Sequence, residues 1–164
     1  MQHGPIDCLL SQDSYKDVQK LFHYHFNNLS ESTNAKLRFV ILVDETGETE
    51  FQGVRISYFS YLQGNTKVLG LRINNFAYIT DIKSYSEEIF PFLEGVDTLV
   101  LSALRDTPSR MHLTMDDAIR FAGQCGAKNC YITHIGHEVD HKKRESSLPE
   151  GIHLAYDGLK IFQK

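Results

Sequence analysis

The stretch of sequence that decides the fold reads Tyr131-Ile132-Thr133-His134-Ile135-Gly136-His137-Glu138-Val139-Asp140. The apolar run from Cys130 to Ile132 predicts a short buried strand that stops at Thr133 and His134. Two histidines three residues apart and two acids then share one loop. Because a strand end holds a side chain rigidly and leaves it open to solvent, this pattern suits a metal ligand or a general acid/base. The alternative is a surface turn with incidental histidines, since His-x-x-His is a weak pattern.

Length and composition describe a globular chain. The 164 residues predict a single domain, 1–164, with a substantial core, and 41% hydrophobic and 23% charged residues lie in the globular range. A net charge of −4 argues against a nucleic-acid partner bound through a bulk positive field. No apolar run approaches the ~20 residues that a membrane span needs, so a membrane is not an expected partner.

The cysteines indicate a reducing compartment. Cys8, Cys125 and Cys130 form no even set for a disulfide framework, which favours a cytoplasmic location. The first residues of the sequence lack signal-peptide character, in agreement with that expectation. Cys125 and Cys130 are expected to pack as small hydrophobic side chains rather than to bind metal.

The first half of the chain is predicted to contain one helix and several strands. Ser11 caps a helix over residues 12–25. Turn and β-forming residues then predict a turn at 44–47, a hairpin turn at Asn74-Asn75, and strands over 37–43, 51–59, 67–73 and 76–79. This part of the sheet is therefore expected to be mainly antiparallel.

The second half alternates strands and helices. Ser86 caps a short helix that ends at Leu93, and Thr114 caps a clearer one that Gly126 ends. Further predicted elements are a strand over 96–101, the strand before His134, a charged loop over 141–144, and a final hairpin of 152–156 and 159–162 around Asp157-Gly158. This order predicts an α/β layered domain with a mixed sheet, whose strand ends line a crevice.

Three side chains are candidates for a metal site. Asp81 and His134 each follow a predicted strand, and His112 lies in the polar loop before the Thr114 helix. If these strand ends share one edge of the sheet, a carboxylate and two imidazoles converge, which suits zinc, manganese or iron. A histidine not used as a ligand could move a proton. The alternatives are that Asp81 caps a helix or a turn and that His112 is a solvated loop residue.

Five motifs occur in an order that resembles a known family. They are Ala77-Tyr78-Ile79-Thr80-Asp81, Leu99-Val100-Leu101-Ser102-Ala103-Leu104-Arg105, Met111-His112-Leu113, the stretch from Tyr131 to Glu138, and Ala155-Tyr156-Asp157-Gly158. Together they resemble the C-terminal part of a metallo-β-lactamase-fold hydrolase, in the branch that contains the cyclic phosphodiesterase of the carbon–phosphorus lyase pathway and is related to tRNase Z. The resemblance implies an αββα sandwich that lacks its N-terminal portion.

The resemblance also implies roles for individual residues. In such enzymes the aspartate at the position of Asp81 bridges two metal ions, and the histidine at His134 binds one of them. The histidine at His112 is implicated in protonating the leaving group, while His137 and Asp140 would lie in the pocket. The implied reaction is hydrolysis of a small phosphodiester or nucleotide-like substrate with zinc or manganese as cofactor.

The sequence departs from the family pattern at the metal ligands. The family motif His-x-His-x-Asp-His does not occur in the 164 residues, and Gln63 stands where the family carries a ligand histidine. Ser102 replaces an aspartate. A neutral amide binds zinc less well than imidazole, so Gln63 is at most a degenerate ligand, and we expect no dinuclear centre from this chain alone.

These departures leave three hypotheses about the function of the chain. The first is a shortened phosphodiesterase-type hydrolase that, by itself, does not hydrolyse bis(p-nitrophenyl) phosphate. The second is a catalytically inactive remnant that acts as a binding or interaction module, with a homodimer formed through apolar surface left uncovered by missing strands. The third is an unrelated α/β domain whose histidines are surface residues.

Overall fold

A computed structural model describes residues 4–23 and 37–162 of the chain. The chain divides into two compact units, Met1–Glu45 and Thr46–Lys164. All three candidate metal ligands belong to the second unit. No helix in the described ranges is long and apolar enough to cross a membrane.

The first unit contains a parallel strand pair and a helix. Strand β1 (Ile6–Ser11) pairs with β2 (Leu37–Leu42), and helix α1 (Gln12–Leu21) follows β1 directly. The helix begins at Ser11, as predicted, because the Ser11 hydroxyl accepts a hydrogen bond from the backbone amide of Ser14 at 3.2 Å. Residues 24 and 25 of the predicted helix lie outside the described residues.

The described part of the second unit forms one seven-stranded sheet in sequential order. Its strands are β3 (Thr46–Phe51), β4 (Val54–Gln63), β5 (Thr66–Ile73), β6 (Phe76–Ile79), β7 (Thr98–Ser102), β8 (Asn129–Thr133) and β9 (Ile152–Leu154). Strands β3 to β6 pair antiparallel, and β6 to β9 pair parallel. The predicted mixed sheet is thus confirmed.

Helices connect the parallel strands. A 3₁₀ turn (Glu87–Ile89) leads into the short α2 (Phe90–Leu93), α3 is Met115–Cys125, and α4 is His141–Glu145. Helix α3 begins with a reciprocal capping box. The Thr114 hydroxyl accepts a hydrogen bond from the Asp117 backbone amide, and the Asp117 carboxylate accepts one from the Thr114 backbone amide, both at 3.1 Å. It ends at Gly126, whose φ of 68° is left-handed. Both predicted ends of this helix are correct.

The core lies around the central parallel strands. Residues of β7 such as Leu99 and Leu101 are fully buried, as are Ile132 of β8 and Phe121 of α3. Parallel strands that are covered on both faces are apolar along most of their length, because their side chains are buried, and the centre of β7 follows this rule. Cys130 is also fully buried, so it packs as a hydrophobic side chain as predicted.

The predicted strand over 51–59 is confirmed over residues 54–59, which belong to β4, but the preceding strand β3 was missed. Strands β3 and β4 are joined by a turn at Gln52-Gly53. The predicted turn at 44–47 is shorter than expected, because β3 already begins at Thr46. Strand β3 carries charges such as Glu48, which pairs with Arg55 across the ladder. Charged residues are common on edge strands, where they discourage pairing with other chains, and they concealed the strand from a pattern based on apolar residues.

Two predictions near the C-terminus are also wrong. The charged segment 141–144 is helix α4 rather than a loop, because the Asp140 carboxylate accepts a hydrogen bond from the Lys143 amide at 3.1 Å and starts the helix. The second strand of the predicted final hairpin does not form in the described residues. Asp157-Gly158 still makes a turn, in which the Leu159 amide donates to the Tyr156 carbonyl. A turn signal specifies a chain reversal but not the strand pairing beyond it.

Candidate metal centre

The strand register brings Asp81 and His134 to the same edge of the sheet. Ile79 of β6 and Ile132 of β8 both lie opposite Leu101 of the intervening strand β7. Asp81 and His134 each come two residues after those positions, at the carboxyl ends of parallel strands. Their side chains therefore leave the sheet at the same height, where ligands commonly bind in α/β proteins.

Asp81 and His134 also share a backbone conformation that is uncommon for residues with a side chain. Their φ angles are 59° and 62°, in the left-handed region. Such conformations cost free energy and cluster at functional sites, where the surrounding structure holds them. Asp81 and His134 each lie just after the end of a strand, and their side chains approach each other.

The third side chain, His112, reaches the site from the loop between β7 and α3. Its Nδ1 lies 3.8 Å from Asp81 Oδ1, and His134 Nε2 lies 3.7 Å from the same oxygen. The two imidazole rings are 4.5 Å apart between centroids, and one ligand atom from each of the three residues lies within 4.8 Å of the others. The predicted convergence of Asp81, His112 and His134 is therefore confirmed.

The surroundings of His112 fit a metal ion. Burial is the main cause that lowers the pKa of His112, the neighbouring His134 lowers it further, and Asp81 acts in the opposite direction. The neutral ring is thus favoured, which is the form that binds metals. His112 Nδ1 is buried and has no hydrogen-bond partner among the described residues. A carboxylate oxygen with two imidazole nitrogens is a donor set typical of zinc and related ions.

Gln63 lies beside Asp81 but contacts it as a donor. Its Nε2 donates a hydrogen bond to Asp81 Oδ1 at 3.2 Å. In this arrangement the amide orients the carboxylate, and the role of Gln63 as a degenerate ligand stays a prediction. Gln63 is the last residue of β4.

Two further residues support the site and have no signal in the sequence. The buried Tyr61 hydroxyl donates to the Thr80 carbonyl at 2.6 Å, one residue before Asp81, and burial raises the pKa of Tyr61 so that it stays protonated. Lys83 Nζ donates to the His112 carbonyl at 3.2 Å. Both partners are backbone carbonyls distant in sequence, so no local pattern could have found them.

His137 and Asp140 lie outside the cluster. The His137 side chain is 100% exposed, with Nδ1 3.6 Å from Glu138 Oε2, and the Asp140 carboxylate caps α4. Glu138, for which the sequence predicted no role, accepts a hydrogen bond from Arg105 at 2.9 Å. A hydrogen bond from its own backbone amide, followed by this arginine, lowers the pKa of Glu138.

A cavity of about 450 Å³ opens next to His134. Its wall includes Val139, His141, Tyr156 and Asp157. His141 Nε2 lies 3.2 Å from the Ala155 carbonyl oxygen. The cavity is large enough for a small organic group beside His134.

Comparison with known proteins assigns the chain to a family. The profile of the β-lactamase superfamily domain matches residues 2–135. The chain therefore belongs to the metallo-β-lactamase-fold superfamily of metal-dependent hydrolases. No curated protein sequence matches it significantly.

Solved structures agree with this assignment. A diphosphatase of the PhnP family is 28% identical with a TM-score of 0.85, and the match covers 98% of this chain and 60% of that one. The metallo-β-lactamase-fold protein YhfI from Bacillus subtilis is 17% identical (TM-score 0.70, 93% and 63% covered). The short form of human tRNase Z is 15% identical (TM-score 0.65, 96% and 68% covered). The last two show the fold alone, and the chain spans about 60% of the length of the diphosphatase.

Proposed function

We propose that Asp81, His112 and His134 hold one divalent ion, zinc or manganese, in a site derived from a phosphodiesterase-type hydrolase. The observation that carries the proposal is the cluster itself, in which three ligand atoms lie within 4.8 Å of one another. The buried, unpartnered Nδ1 of His112 supports it, since a metal ion would give that nitrogen a partner.

The proposal makes His112 the third ligand, in place of the proton-transfer role that the family resemblance implied. A catalytic zinc has about three protein ligands and an open position. Asp81 and His134 alone provide two, and the neutral His112 ring provides the third. When bound, a divalent ion supplies Lewis-acid polarisation of a phosphoryl oxygen.

Residues of this chain fix the ligand groups. Gln63 donates to one oxygen of Asp81, and the Tyr61 hydroxyl holds the carbonyl just before it. Lys83 holds the backbone of His112 in the same way. These contacts pre-organise the carboxylate and one imidazole, a contribution that supporting residues commonly make to metal affinity.

We further propose a small phosphodiester or nucleotide-like substrate. The cavity beside His134 has room for an organic substituent, and Tyr156 offers an aromatic surface there. The description of the 28% identical structure as a diphosphatase supports a phosphoryl substrate. In this arrangement the anionic group lies at the metal ligands and the substituent occupies the cavity.

The 164-residue chain is proposed to bind an ion without turning over substrate. The enzymes it resembles use two ions, and the His-x-His-x-Asp-His ligands of the other ion do not occur in this sequence. We therefore expect no hydrolysis of bis(p-nitrophenyl) phosphate with zinc or manganese present. Hydrolysis that disappears in His134→Ala would contradict this part of the proposal.

Metal binding tests the central claim. Equilibrium dialysis against zinc should give about one ion per chain, and His134→Ala, Asp81→Asn and His112→Ala should each weaken binding at least about tenfold. His137→Ala is the matched control, because that imidazole is fully exposed and outside the cluster. Unchanged affinity in His112→Ala would return His112 to the proton-transfer role. A wild-type chain that binds neither zinc nor manganese would refute the metal centre.

A second candidate function is a non-catalytic interaction module that forms a homodimer. It is favoured by exposed apolar side chains in the first unit, namely Ile6, Leu21, Phe22, Leu37 and Val43. Light scattering of the purified chain tests it. A dimeric mass that persists on dilution supports the module, and a monomeric mass at all concentrations contradicts it.

A further inference from the structure

Two loops carry the imidazoles of the candidate centre, and backbone hydrogen bonds join them. The His112 loop (residues 103–114) follows β7, and the His134 loop (residues 134–140) follows β8. The Ala103 amide donates to the Thr133 carbonyl at 3.0 Å, and the Gly136 amide donates to the Leu104 carbonyl at 2.7 Å. The first bond ties the start of the His112 loop to the end of β8, and the second joins the two loops. The two ends of the His112 loop are also bonded to each other, since the Leu104 amide donates to the Leu113 carbonyl at 3.1 Å.

Arg105 connects the loops through its side chain. It belongs to the His112 loop, and its Nη1 lies 2.9 Å from Glu138 Oε1 in the His134 loop. The Glu138 carboxylate lies against Gly136 so closely that a Cβ at that position would collide with it. A residue with a side chain at 136 would therefore displace the acidic partner of Arg105.

Arg144 makes a second connection from α4, which directly follows the His134 loop. Its Nη2 lies 3.0 Å from Asp106 Oδ1 and 3.3 Å from Asp116 Oδ1, and the Arg144 side chain is only 20% exposed. Asp106 lies in the His112 loop, and Asp116 lies in the first turn of α3. One guanidinium thus joins α4 to both ends of the segment that presents His112.

We propose that Arg105 and Arg144 are positioning residues that together set the spacing and orientation of the His112 and His134 rings. The inference rests on the proposed metal centre, because that centre is what gives the ring spacing its function. Arg105 reaches from the His112 loop to the His134 loop, and Arg144 reaches from α4 to the His112 loop and to α3. Hydrogen bonds between charged groups are stronger than those between neutral groups, so these contacts can hold the loops in place.

The incomplete hydrogen bonding of both arginines agrees with a positioning role. Arg105 Nε and Arg144 Nε are buried and have no hydrogen-bond partner among the described residues. Burying such groups disfavours folding, and an apolar replacement of similar size often stabilises a protein. Residues that lower the stability of the folded state in this way are expected at sites where function requires a particular geometry.

Histidine ring NMR in the metal-free protein tests the proposal independently of metal binding. Arg144→Met and Arg105→Met remove the charge and keep most of the apolar stem. We expect each to shift the ring proton resonances of His112 and His134, assigned with His112→Gln and His134→Gln, and we expect Arg144→Lys to restore the wild-type positions in part. Arg55→Met is the control, since Arg55 pairs with Glu48 between β3 and β4 and contacts neither loop.

Zinc affinity provides the second readout. If the arginines position the rings, Arg105→Met and Arg144→Met bind zinc about 10- to 100-fold more weakly, as loss of supporting contacts does in other metal sites. Arg55→Met binds zinc as the wild type does. Ring resonances and affinity that match the control, even with a lowered melting temperature, would overturn the inference. If Arg144→Met does not fold, Arg105→Met decides alone. A wild-type chain that binds no zinc refutes the proposed centre, while the ring resonances still decide the role of the arginines.

Discussion

Asp81 and His134 have the same left-handed backbone conformation, with φ angles of 59° and 62°, and their side chains lie close together. The distance between His134 Nε2 and Asp81 Oδ1 is 3.7 Å. Each follows a parallel strand that flanks β7, two residues past a position opposite Leu101. The left-handed turn is thus part of how the strand ends aim a carboxylate and an imidazole at one point. A strained conformation repeated at both positions indicates that geometry was favoured there over stability.

The strain at His134 predicts that glycine is better tolerated there than alanine. Alanine keeps the left-handed penalty of about 1–2 kcal/mol, and glycine removes it while adding about 0.5–1 kcal/mol of unfolded-state entropy. We expect His134→Gly to have a free energy of unfolding about 1 kcal/mol above that of His134→Ala, measured by urea denaturation without metal. A glycine variant less stable than the alanine variant would show that the backbone at 134 is not strained.

Two glycine substitutions should change stability in opposite directions. A Cβ at Gly70 of β5 would lie 2.5 Å from the Phe59 ring on the neighbouring strand, so Gly70→Ala should lower the free energy of unfolding by about 1–3 kcal/mol. Gly123 lies exposed on α3, and a Cβ added there would meet nothing within 4 Å, so Gly123→Ala should raise it by about 0.5–1 kcal/mol. Equal effects in urea denaturation would contradict the packing of Gly70 against Phe59.

The cysteines should differ in their reactivity toward thiol reagents. Burial raises the pKa of Cys125 and of Cys130 to about 12, and Cys130 is fully buried. Because the thiolate is the reactive form, we expect iodoacetamide at pH 8 to label only Cys8 in the folded chain and all three cysteines in urea. Mass spectrometry counts the labelled sites, and rapid labelling of Cys130 without denaturant would contradict the described core.

The lowered pKa of His112 predicts a loss of stability in acid. Burial holds the folded-state pKa below the unfolded value of about 6.5, so the unfolded chain takes up this proton first as the pH falls. The contribution of His112 to stability is therefore present above about pH 6.5 and is lost as the pH falls through the folded-state pKa. With EDTA present, urea denaturation of His112→Gln should show a smaller decrease between pH 7 and pH 5 than wild type does. Identical pH profiles would mean that the His112 pKa is not lowered.

The sequence determined those features whose physical causes act over three or four residues. Helix α3 begins at Thr114 and ends at Gly126 because a capping box and a left-handed glycine are local interactions, and both were predicted correctly. The fold family and the candidate ligands Asp81, His112 and His134 were also predicted, because residue type and position after an apolar strand are visible in the chain. Helix α4 was missed although its cap, Asp140, is local, because its polar residues carry no apolar periodicity.

Only the tertiary structure decided how the ligand groups are held. Gln63 donates to Asp81 from 18 positions away, and Arg144 reaches Asp116 across 28. Such contacts depend on the strand register and on the packing of loops against each other, which a periodic pattern along the chain does not encode. The sequence therefore determined which residues could form a metal centre. The tertiary structure determined the distances between their side chains, because each distance depends on how the strands and loops that carry the two residues pack together.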